Sequence, residues 1–265
     1  MLGGRHIVVT GVATRDSIAT ATVRRAVELG AHVRVTAMER DHERAREIVH
    51  EWDRNIVVDA LDLTDGAALA HWTSSLAASG RPVDGIVHAV AYAPKAALSG
   101  EFIATPSSDV EVAMRTSVWT YAALARALAE LAPSSGAALV GLDFDAGGRA
   151  WPVYNWMGVC KAALREASRY IARDLGARGI RSNLVAAGPL ATRAALAIPD
   201  FDLLTSAWET TSPLAWDPND ASPVADAVCF LLSPMARAIT GEVMHVDGGY
   251  HAMATVRRPS SASDA

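Results

Sequence analysis

Lysine is close to absent from this chain: its 24 basic residues include only two, Lys95 and Lys161. Cysteine is as scarce. Cys160 and Cys229 stand alone, too few for a secreted disulfide framework or a four-ligand zinc site. None of the eight histidines has an H-E-x-x-H or comparable spacing, so no metal is expected. No eighteen apolar residues run uninterrupted, and Met1 to His6 lacks the apolar core of a signal peptide, so neither a membrane span nor secretion is expected. Positive charge is not in excess. A net charge of −5, with no helical stripe combining basic and aromatic residues, leaves no footprint for nucleic acid or a membrane surface. These absences point to a reducing, cytoplasmic setting and to a small molecule or compact protein as partner.

What is present is apolar. Of 265 residues, 51% are hydrophobic and 20% charged, which suits one large core and excludes collagen-like or disordered chains. Short β-branched runs at 6–10, 32–37, 55–59, 85–89, 137–142, 180–185 and 242–246 alternate with longer periodic segments at 18–29, 41–52, 109–131, 154–175 and 222–231. A further helix is expected to begin near Asp65. This rhythm predicts an α/β fold: a Rossmann-type doubly wound parallel sheet, three-layer α/β/α, in a single domain covering 1–254. Residues 190–213, past Gly188-Pro189, read as irregular and as a short substrate lid. Residues 255–265 are small and polar and read as a flexible C-terminal tail.

The first predicted strand ends in Gly11, and a short turn leads to Ser17-Ile18 at a helix start. This is not G-x-G-x-x-G, yet a helix N-terminus after strand one still offers free N–H groups and a positive dipole end to a pyrophosphate. Ser17 either caps the helix or binds an oxygen. Glu39, at the end of strand two, suits ribose hydroxyls and favours NAD over NADP, while Arg40 beside it weighs the other way. Asp62-Leu63 either hydrogen-bonds and flanks an adenine, or Asp62 caps the following helix.

Tyr154 and Lys161 lie seven apart on a predicted helix, and seven steps of about 100° return to within about 20° of the starting face. One pocket then receives both. A phenol can hydrogen-bond to a carbonyl oxygen that gains charge, and an ammonium can hold ribose hydroxyls and favour that charge. In a chain that uses arginine almost everywhere, a lysine here is informative, because a compact ammonium and a planar fork are not interchangeable. The bland alternative is a helix-start core tyrosine and a solvated lysine. Cys160, with no histidine placed to activate it, reads as a small buried hydrophobe.

Gly11-x5-Ser17-Ile18-Ala19, Val87-His88-Ala89-Val90-Ala91-Tyr92-Ala93-Pro94, Tyr154-x6-Lys161, the run from Arg181 to Pro189 and His245-Val246-Asp247-Gly248-Gly249 together resemble the NAD(P)H-dependent enoyl-acyl-carrier-protein reductases. These are a divergent branch of the short-chain dehydrogenase/reductase superfamily. The likeness spans residues 3 to about 253, with the actinobacterial enzymes most similar over 143–189. Tyr-x6-Lys separates this branch from the commoner Tyr-x3-Lys relatives, which also carry a serine about thirteen residues before the tyrosine, where Gly141 stands here.

The resemblance implies hydride transfer from NADH, with NADPH less favoured, to the β-carbon of a trans-2-enoyl thioester on acyl carrier protein or CoA. It implies that Tyr154 binds the thioester carbonyl and Lys161 the nicotinamide ribose. Gly11, Ser17, Ile18 and Thr192 would serve the pyrophosphate, Asp62, Leu63 and Met38 the adenine, and Ala89 and Ala91 would border the cofactor. Ala89 and Ala91 replace a serine and a glycine common in the family. Phe144 would pack near the nicotinamide and acyl chain, with Tyr92, Trp156 and Met157 lining the acyl pocket; core packing is the alternative for each. The short lid implies medium-to-long acyl chains, and Arg193 is either a solvated charge or a contact for an acidic carrier protein. A homotetramer built on 109–131 and 154–175 is also implied. The competing readings are a carbonyl reductase or alcohol dehydrogenase of the same superfamily, and a dinucleotide sensor without turnover.

Overall fold

The structure, a computed structural model, describes residues 1–144 and 149–254. Seven parallel strands form one sheet: β1 (His6–Thr10), β2 (His32–Ala37), β3 (Val57–Ala60), β4 (Gly85–His88), β5 (Ala137–Phe144), β6 (Ile180–Ala187) and β7 (Val243–Val246), in the order β3-β2-β1-β4-β5-β6-β7. Crossover helices cover both faces, so β1 and β4 are buried along their whole length, which is why such strands read as unbroken apolar runs.

Helices α1 (Ile18–Glu28), α2 (His42–Val49) and α9 (Ser222–Leu232) pack on one face, in a core with Ile7, Val9, Val35, Val87 and Val185. Helices α3 (Gly66–Ala78), α5 (Thr120–Leu131) and α6 (Asn155–Leu175) cover the other, around Val8, Ile86, Leu139 and Leu184. A third apolar cluster lies past the C-terminal ends of β5 and β6, where α8 (Asp202–Thr211) meets Phe144, Tyr154 and Met157. The doubly wound order agrees with the pattern read from the sequence.

Three differences matter for the site. The predicted helix over 109–131 is α4 (Ser107–Met114) and α5 joined by a π-helical turn, Arg115–Trp119. That wider turn carries Ser117, whose hydroxyl donates to the Tyr92 carbonyl and accepts from the Tyr92 N–H, both at 3.1 Å. Residues 190–213 are not irregular: a short α7 (Arg193–Leu196) is followed by the ten-residue α8, whose N-cap residue Phe201 and helical Leu204 and Trp208 are buried at helical spacing. Strand β5 runs to Phe144, two residues beyond the predicted end, so Asp143 and Phe144 are fixed by pairing with Ala186 and Ala187. The predicted tail at 255–265 lies outside the described residues.

The chain winds outward from β1 to β3 and restarts on the other side at β4, so a crevice opens between the C-terminal ends of β1 and β4. Gly11 sits at its floor with φ +79°, and a Cβ there would come 2.4 Å from the Ala89 carbonyl oxygen. Only glycine permits this approach. Gly11→Ala is expected to cost about 2–4 kcal/mol of stability, from left-handed strain and overpacking together, as read by urea denaturation.

Candidate active site

Tyr154 is the N-cap residue of α6, with φ −143° and ψ −18°, so it stands half outside the helix on which the sequence places it. Asn155, next to it, takes a left-handed φ of +27°, and its side-chain amide donates to the Gly100 carbonyl at 3.0 Å. Trp156 stacks on Phe102 with centroids 4.7 Å apart. The first turn of α6 is thereby tied to the loop after β4. The Tyr154 ring lies 5.0 Å from the Phe144 ring, and no described residue hydrogen-bonds to its hydroxyl. Burial, reinforced by the charge of Asp143, pushes the phenol well above its ordinary range, so it is a neutral hydrogen-bond donor at any physiological pH.

Two turns on, Lys161 is 7% exposed and its ammonium donates to the Leu142 carbonyl at 2.9 Å. Burial lowers its pKa, while the nearby charge of Asp143 works against that. Asp143 is fully buried at its side chain and takes a 2.6 Å hydrogen bond from Arg165 Nε, also on α6. Burial raises its pKa against the opposing charges of Lys161 and Arg165, and Asp143 Oδ1 has no hydrogen-bond partner among the described residues. Tyr154, Lys161, Asp143 and Arg165 therefore share one buried electrostatic neighbourhood under the start of α6. Asp143 and Arg165 were not singled out from the sequence; an Asp in an otherwise apolar strand run was the available signal.

The predicted cofactor residues divide. Gly11 and Ala89 meet at the crevice floor. The Ser17 hydroxyl caps α1, accepting from Thr20 N–H at 3.1 Å and donating to Thr20 Oγ1 at 2.9 Å; Ile18 opens that helix, half-buried. Thr192 caps α7, accepting from Ala195 N–H at 3.3 Å. Asp62 does not cap α3. It accepts from Thr64 N–H and Oγ1 at 2.8 and 2.7 Å, and Asp65 is the cap. The Leu63 side chain is buried in the core beside Leu69 and Trp72. Met38 is partly exposed at the end of β2, and Ala91 is exposed past the end of β4. Tyr92, also exposed, stays outside the aromatic cluster, whereas Phe144 and Met157 belong to it. Arg193 is largely exposed and pairs with Asp41 at 3.6 Å. Cys160 is buried, its thiol pushed up to about 11.

The crevice suits a dinucleotide. The turn after β1 is closed to side chains at Gly11, the first turn of α1 faces the same end of the sheet, and a buried ammonium stands beyond β4. A family model described as enoyl-(acyl carrier protein) reductase matches residues 11–251. This chain belongs to that family. Proteins named enoyl-[acyl-carrier-protein] reductase [NADH] are similar along nearly the whole chain. That of Mycolicibacterium smegmatis is 36% identical over 263 residues, covering 94% of this chain and 97% of its own. Those of Aquifex aeolicus and Bacillus subtilis are each 36% identical, covering 97% and 94% of this chain and 95% and 97% of their own.

Behind the crevice, His88 ends β4. Its Nε2 lies 2.8 Å from Thr120 Oγ1, which itself donates to the Thr116 carbonyl, so Nε2–H is the donor. Burial, helped by the Lys161 charge, holds its pKa down at about 3. A depressed histidine adds stability above its unfolded value near 6.5 and loses it as pH falls toward 3. His88→Gln is therefore expected to flatten the acid decline of urea stability between those limits by roughly 1.4 kcal/mol per pH unit.

Proposed function

We propose that this protein reduces the trans-2 double bond of enoyl thioesters carried on acyl carrier protein or CoA, with NADH as hydride donor, in fatty acid or related acyl-chain synthesis. The observation that carries the reading is a phenol held neutral at the mouth of α6 with a buried ammonium two turns along the same helix. A bound nicotinamide would supply a hydride to the β-carbon, and a proton taken up at the α-carbon would complete the saturated thioester. The Tyr154 hydroxyl, which no described residue pairs, would donate a hydrogen bond to the thioester oxygen as charge gathers there. Lys161 holds the ribose hydroxyls from its place at the Leu142 carbonyl and adds positive potential. Gly11 and the first turn of α1, with Ser17, Ile18 and Thr192, receive the pyrophosphate. Met38, Asp62 and the backbone at Leu63 border the adenine, and Ala89 and Ala91 flank the cofactor. Phe144 and Met157 wall the acyl side of Tyr154. Residues 190–213, with α7 and α8, act as the lid over this site.

We place the protein in the cytoplasm as a homotetramer; no helix among the described residues is long and apolar enough to cross a membrane. Val112, Trp119, Val159 and Tyr170 are exposed on α4 to α6, around a groove of about 530 Å³ lined by Met114, Val118, Ala122 and Ala167. An apolar face of this kind supports association through those helices.

Absorbance assays of NADH oxidation should show turnover with a trans-2-enoyl thioester and none with the matching 3-ketoacyl thioester; the reverse would make it a carbonyl reductase. Tyr154→Phe is expected to lower kcat by about 100-fold or more while NADH affinity is kept, and Lys161→Ala to weaken NADH binding. Light scattering on the eluting protein should give four chains; a monomer would leave the apolar face without this explanation.

A further inference from the structure

The space beyond Tyr154 is already filled by rings. Phe144 touches Tyr154 at 5.0 Å and Trp208 at 5.4 Å between centroids. Trp208 stacks on Tyr250 at 3.8 Å and 14°, and on Trp151 at 5.3 Å and 27°. Trp151 closes the set, 5.8 Å from Phe144 and 5.9 Å from Tyr250. Three different parts of the chain meet here: the approach to α6, the lid helix α8 and the segment after β7. Trp208 is only 1% exposed.

Part of this wall is anchored. Arg149 lies over the Tyr250 ring at 5.5 Å and donates to the His251 carbonyl at 3.3 Å. The Asp247 carboxylate accepts from the N–H groups of Gly249 and His251, both at 2.9 Å, and fixes the turn that carries Tyr250. Trp208 is different. Its indole N–H is buried without an acceptor among the described residues, and a Cβ on Gly188, just past β6, would lie 2.9 Å from Nε1, so this ring is held against the backbone at the end of β6. An unsatisfied buried donor is costly unless something bound supplies its partner.

We propose that Trp151, Trp208 and Tyr250 form an aromatic wall that restricts this reductase to short enoyl thioesters. The inference rests on the reductase reading above and replaces the medium-to-long chains that lid length alone suggests. A crotonyl group ends one methyl beyond the reacting β-carbon, so from Tyr154 it reaches no further than the neighbouring Phe144 and Met157. A dodecenoyl chain has to displace Trp208 from its stack on the anchored Tyr250, and stacked, close-packed rings yield poorly to added volume.

The test compares crotonyl-, trans-2-octenoyl- and trans-2-dodecenoyl-CoA with NADH in the native protein and in Trp151→Ala and Tyr250→Ala. In the native protein kcat/KM should fall at least about tenfold from crotonyl to dodecenoyl, and either variant should recover most of that ratio. Native turnover of dodecenoyl as fast as crotonyl overturns the wall, and this arm decides even where a variant fails to fold. A folded variant that binds NADH but keeps the native ratio also overturns it. Absence of turnover at every length, with NADH still bound, removes the reductase reading itself.

Discussion

Lys161 carries its charge into the layer between α6 and the sheet, where water cannot solvate it, and the arrangement around it answers that cost. The Leu142 carbonyl takes one of its hydrogens at 2.9 Å, and the Asp143 carboxylate offsets the penalty of burial. Asp143 is kept in turn by Arg165, one turn along α6. The same carboxylate raises the Tyr154 phenol, so one buried acid helps keep an ammonium charged and a phenol protonated. His88, on the neighbouring strand, stays neutral partly because the Lys161 charge is close.

That electrostatic group depends on strand register. Because β5 and β6 pair through Asp143–Ala186 and Phe144–Ala187, the carboxylate and the ring leave the sheet on opposite faces, Asp143 toward α6 and Phe144 toward Trp208 of α8. A shift of one residue would exchange them. The π-helical turn before α5 works similarly on the cofactor side, placing Ser117 to hold the backbone at Tyr92 and Thr120 to meet His88.

Much of this is legible in the sequence. The parallel strands stood out because burial on both faces leaves unbroken apolar runs, and Gly11 and Ser17 marked the first turn. The pair Tyr154 and Lys161 stood out through spacing and through the rarity of lysine. Pro199 and Pro213 frame the α8 segment as a loop in the sequence, although Phe201, Leu204 and Trp208 carry a helical period. Asp62 was weighed as a helix cap when Asp65, three residues on, had that role.

The sequence by itself determined the fold class, the family and the pairing of Tyr154 with Lys161, because strand and helix periods, short motifs and a seven-residue spacing are local properties of the chain. Tertiary structure alone decided the partners of Lys161 and the wall beyond Tyr154. Asp143 meets Arg165 across 22 positions, and Trp151 meets Trp208 of α8 and Tyr250 past β7, elements far apart in the chain. Contacts of that range follow from how parallel strands stack and where their ends point, which no local pattern encodes.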